Sequence, residues 1–219
     1  MPGGVLRAFL DQEESPATRL LVESEMLLKS AQQPTVAAEL SAEIDNLRAA
    51  WGWAVEGQRL VQLDQMLPCL HWFHEVRNTL REAEAMFGRA VDELRQAGAP
   101  EQVSAFAHLL GQLGWFAFRV GKAERAAAWL QESLALARPH DDPRVLYHVH
   151  TSWGILALVT GDAAAARRLL LDSLAEARRL GHPWHIAAEL EAQLTPLQIE
   201  AAQARAQVRT LDEVVKEMR

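Results

Sequence analysis

The chain has 219 residues, 49% of them hydrophobic, a formal net charge of −7 and a pI near 5.6. An acidic surface with no Lys/Arg block argues against a nucleic-acid or anionic-membrane footprint, which needs clustered positive charge, so neither partner is expected. The lone Cys69 has no partner for an intramolecular disulfide, no apolar run approaches the ~20 residues of a membrane helix, and MPGGVLRAFL lacks the features of a secretory signal. The expected compartment is the cytoplasm.

Ala, Leu, Glu, Gln and Arg dominate, the strong helix formers, and strand-like runs are nearly missing, so the fold class is all-α. In chain order, a short helix is expected over 5–12, and Ser15-Pro16 opens another that runs to about Ser30. After a break at Gln32-Gln33-Pro34, Thr35 caps a helix whose apolar stripe (Leu40, Ile44, Leu47, Trp51, Val55) continues to a stop at Gly57. Helices over 60–76 and 80–96 follow, closed by Gly98-Ala99-Pro100; then 101–119 and 123–138, a corner at 139–143, and 144–160 and 163–180. After Gly181-His182-Pro183 the C-terminal section is helical to Arg219, with Thr195-Pro196 starting a new helix. This gives about ten or eleven helices.

Residues 104–181 repeat themselves at a spacing of forty. Gly114 falls on Gly154, Gly121 on Gly161, Ala126 on Ala166, Leu130 on Leu170, and Ser133-Leu134-Ala135 on Ser173-Leu174-Ala175. A period of about 20–50 residues marks stacked helical or strand units. Leu113-Gly114, Ala126 and Leu130 fit the helix–turn–helix pattern of a tetratricopeptide repeat, as do Trp153-Gly154, Ala166 and Leu170 with Trp in place of Leu. A glycine inside a helix costs about 1 kcal/mol relative to alanine. Its return at the same phase implies close backbone approach between paired helices. Gly121 and Gly161 suit left-handed helix ends. The expected architecture is a right-handed α-solenoid of antiparallel helix pairs: a lead-in over 1–57, then repeats over 60–97, 101–139 and 143–181, and degenerate helices over 183–219, in one continuous array.

The segment AELSAEIDNLRAAWGWAVEGQ at 38–58 resembles the lead-in to the helical repeats of bacterial STAND-type regulators, the AfsR-, LuxR- and maltose-activator-like proteins. Glu43, Asp45, Asn46, Leu47, Arg48, Ala49, Ala50, Trp53 and Ala54 carry the likeness, and HWFHEVRNTLREAEAMFGRAV and LGHPWHIAAELE continue it. The resemblance implies a sensor or interaction region that works with a signalling ATPase in the same or a partner chain. No P-loop signature occurs, since Gly121-Lys122 is followed by Ala123, and no helix-turn-helix stands out.

If first helices line a groove, Trp72, Glu75, His108, Trp115, Phe118, Arg119, His148, Thr151 and Ile155 face it, fitting a protein, a peptide or a small inducer. His71 and His74 share a helix face, but no acidic or Cys ligand is spaced to complete a metal set, so no metal or cofactor is expected. Asp141-Asp142 reads as a helix cap, and Ser133 and Ser173 recur for packing. No nucleophile motif is present, and the chain is expected not to be an enzyme. A structural scaffold that dimerises through its terminal helices is the alternative.

Overall fold

A computed structural model of the chain describes residues 24–98 and 103–181. Among the described residues every regular element is helical. Residues 24–28 are helical, and eight α-helices follow. These are α1 (Gln33–Ala42), α2 (Ile44–Glu56), α3 (Leu60–Arg77), α4 (Leu80–Gln96), α5 (Val103–Arg119), α6 (Ala123–Ala137), α7 (Pro143–Val159) and α8 (Ala163–Leu180), with a 3-10 turn at Arg138–His140. The expectations for 5–12, for Ser15-Pro16 and for 183–219, including the new start at Pro196, lie outside the described residues. The chain divides into two compact units, Met1–Val149 and His150–Arg219.

In the first unit, the order of contacts fixes the direction of each helix. Along α5, Ala107, Gly111 and Gly114 meet Ser133, Ser133 and Leu130 of α6, so rising numbers meet falling ones and the pair is antiparallel. Asp64, His71 and Glu75 of α3 meet His108, Gln112 and Trp115 of α5, so these two run parallel. Trp51 of α2 packs on Phe87 of α4 (ring centroids 5.3 Å apart), and Phe87 on Phe116 of α5 (5.6 Å). One apolar core runs from Leu28 through Trp51, Leu67, Phe87 and Leu110 to Phe116.

The glycine notch is where the sequence places it. A Cβ on Gly114 would sit 2.7 Å from Leu130 Cγ and 3.4 Å from the Ala126 carbonyl. In the second unit, a Cβ on Gly154 would sit 2.8 Å from Leu170 Cγ and Cδ2. Only hydrogen fits at either crossing. Ser133 and Ser173 are fully buried beneath the same crossings, the first donating to the Ala107 carbonyl and the second sharing a hydrogen bond with the Thr151 hydroxyl.

Helix ends follow local chemistry. Gly121 (φ 88°) and Gly161 (φ 89°) take the left-handed position, and the next amides, Lys122 N and Asp162 N, reach back to Ala117 O and Ala157 O at 2.8 Å. Two boundaries differ from expectation. Pro34 sits in the first turn of α1 instead of breaking the chain before it, where its missing N–H costs nothing. The helix expected from Thr35 to Gly57 is two helices, turning at Glu43. There the Ser41 hydroxyl bonds back to the Ala37 carbonyl (2.6 Å), a bond that bends helices, and the Glu43 amide is shared between the Glu39 and Leu40 carbonyls. The stop at Gly57 holds, as the C-cap of α2, but the left-handed residue is the next one, Gln58 (φ 52°), where Arg59 closes the turn through its amide on Ala54 O and its guanidinium over Trp53.

Candidate functional site

Helices α3 and α5 and the start of α7 enclose a polar chain inside the first unit. The His71 Nδ1–H donates to Gln112 Oε1 (2.6 Å), the Gln112 Nε2–H to His108 Nε2 (3.1 Å), and the His108 Nδ1–H to Asp64 Oδ1 (2.6 Å). Asp64 Oδ2 then accepts from the Arg144 guanidinium (3.2 Å), which also reaches Asp142 (3.0 Å). Asp142 accepts from the Ser104 hydroxyl (3.0 Å) and caps the start of α7 through the Arg144 amide (3.0 Å). The His148 ring stands edge-on to His71 (5.4 Å) and His108 (6.0 Å), and its Nε2 is sealed from solvent without a partner.

Burial sets the electrostatics of this layer. It pushes His71 down to about 3, with the charges of Lys29 and Arg119 adding to the effect, and holds His148 well below the usual histidine range. His74, bonded to Thr79 Oγ1 (2.7 Å), is pushed by burial to about 4. Burial also pushes the Asp64 carboxyl up, but the hydrogen bond from His108, with the hydrogen bond and charge of Arg144, outweighs it and holds Asp64 below its usual value. Cys69 is buried and its thiol is pushed up to about 12, which leaves it unreactive.

A second cluster lies further along the same two helices. Glu75 accepts from Trp115 Nε1 (2.7 Å) and from the Arg119 guanidinium, which lies over the Trp115 ring, and Phe118 packs on that ring with centroids 5.7 Å apart. Trp72 is half-buried beneath the Lys29 ammonium, 5.3 Å from its ring centroid. The structure therefore brings Glu75, Trp115, Phe118 and Arg119 together, and places His108 and His148 in the buried polar layer. Thr151 and Ile155 belong to the second unit, both partly buried. Sequence reasoning missed Asp64, Gln112 and Arg144. The equivalent positions of His108 and His148 gave the only signal, and nothing in the spacing pointed to the groups they bond.

Among the described residues no group of three or more His, Cys, Asp or Glu is placed to hold one metal ion, and no helix is long and apolar enough to cross a membrane. The described residues are all-helical, with the glycine notch of one helix pair recurring in the next. No protein-family model and no solved structure matches the chain. Over 134 residues, 58% of the chain, it is 30% identical to proteins named "Putative HTH-type transcriptional regulator", one from Mycobacterium bovis and two from strains of Mycobacterium tuberculosis. The match spans 15% of the length of those relatives.

Proposed function

We propose that this chain is a non-catalytic, tetratricopeptide-like sensor region. In this reading it recognises a protein, a peptide or a small inducer and regulates a transcription factor or signalling ATPase in the same or a partner chain. The observation that carries the regulatory role is the 30% identity to helix-turn-helix regulators over 134 residues. The fold supports the repeat reading, because α3 and α5 run parallel as the first helices of successive pairs and the glycine notch recurs in α7.

The recognition surface in this reading is the Glu75–Trp115–Phe118–Arg119 cluster. It offers aromatic faces and a guanidinium whose charge is already oriented by Glu75. The test is a chromosomal Phe118→Ala/Arg119→Ala variant, confirmed by circular dichroism to keep its helicity. Transcript levels are expected to change at a defined set of promoters. An unchanged transcript profile overturns the regulatory reading of this face.

A further inference from the structure

The second helices of the pairs offer a site unconnected with the cluster above. Helix α4 is tied to the start and the body of α6 by two ion pairs, Glu84–Lys122 (2.8 Å) and Arg95–Glu132 (2.5 Å). Helices α2 and α4 are bridged at one end only, where Arg48 holds both Glu82 (2.5 Å) and Asp45 (2.9 Å). That pair closes one end of an open cleft of about 230 Å3 between the two helices. Its walls are Trp51, Gly52, Val55 and Glu56 of α2 and Met86, Arg89, Ala90 and Glu93 of α4.

Three features of this cleft lack an explanation in packing. Trp51 is 4% exposed, yet its indole N–H has no acceptor, and a buried donor left unpaired is destabilising. Gly52 carries the helix penalty of glycine with no close approach to justify it, because a Cβ there would meet nothing within 4 Å. Gly114 and Gly154, by contrast, each face a leucine that leaves no room. Glu56, Arg89 and Glu93 are exposed charges that face one another across the two walls.

We propose that the α2–α4 cleft binds a free α-amino acid with an apolar side chain. The carboxylate pairs with the Arg89 guanidinium, while the ammonium sits between Glu56 and Glu93. The side chain lies in the space left by Gly52, against Trp51, Val55, Met86 and Ala90. The opposed charges on the two walls match a zwitterion, and the apolar floor selects against polar side chains.

The experiment is calorimetric titration of the full chain with L-leucine, L-methionine and L-phenylalanine, each compared with its N-acetyl and its amide form. At least one free amino acid is expected to bind, and both blocked forms to lose binding. Arg89→Gln is expected to weaken binding by at least about tenfold. Gly52→Leu is expected to abolish it with Tm unchanged or raised, while Gly52→Ala keeps it. No heat with any of the three at millimolar concentration overturns the proposal, as does binding that tolerates the blocked forms or survives Gly52→Leu. The cleft shares no residue with the Glu75–Trp115 cluster, so either result leaves the transcript test of that cluster standing.

Discussion

The two copies of the repeat, α5–α6 and α7–α8, share the glycine–leucine crossing and the buried serine beneath it, and disagree in what the first helix presents. Gly114 and Gly154 are notched against Leu130 and Leu170 almost identically, and Ser133 and Ser173 are buried at the same depth. Forty residues on from Gln112, Trp115, Phe118 and Arg119 stand Ser152, Ile155, Leu158 and Val159. The polar and aromatic groups of α5 are replaced by small or aliphatic ones, and Val159 is left 67% exposed. Pair geometry tolerates little change because the crossing is closed by atoms in contact. The outward chemistry of a first helix is free to diverge, because each pair needs only its neighbours' apolar faces to fold.

The strongest challenge to this comparison is steric. Gly114→Val and Gly154→Val should each destabilise by about 2–3 kcal/mol through overpacking, with equal costs if the notches are equivalent. Urea unfolding followed by circular dichroism checks this, and combining Gly114→Val with Leu130→Ala should recover part of the loss. A tolerated valine in one copy would show that only the other is closed.

Acid sharpens the difference in chemistry. His71 has its folded pKa depressed from 6.5 to about 3, so the unfolded chain binds its proton first. Its neutral form stabilises the fold fully above 6.5, and that contribution is lost as pH falls toward 3. At pH 4 the loss from His71 alone is about 3 kcal/mol, and His74, His148 and Asp64 act in the same direction. Calorimetric Tm between pH 7.5 and 4 should therefore begin to fall near pH 6.5, before carboxylates titrate.

Two smaller effects follow. Ser133→Ala and Ser173→Ala should each cost about 1 kcal/mol, the value of one buried hydrogen bond, measured by the same urea titration. Arg95→Ala, which breaks an exposed ion pair on Glu132, should cost under about 1 kcal/mol and less still in 0.5 M salt.

Much of the fold was legible because its rules are local. The ends of α4 and α8 fall where the periodicity puts them, and Gly121 and Gly161 hold the left-handed positions expected of them. The break at Glu43 was hidden because it depends on a serine bonding its own helix, which leaves the apolar stripe intact. The candidate site was legible only in part. Trp115, Arg119 and Glu75 could be placed on facing helices from the glycine phase, whereas the Asp64–His108–Gln112–His71 chain joins residues 41 to 44 apart by side-chain geometry alone. The α2–α4 cleft could not be read at all, because an unpaired indole N–H leaves no trace in spacing.

Pro68 gives helix α3 a seam. Lying four residues after Asp64 inside α3, it has no N–H to offer the Asp64 carbonyl, so the helical ladder skips a rung at the residue that anchors the polar chain. Helix α3 stays continuous across Pro68, but the missing rung makes this the weakest point of its ladder. Amides next to the missing rung should exchange with solvent faster than those further along the core-packed helix. The segment tied by Asp64 to α5 and α7 would then open only when His108 and Arg144 release it.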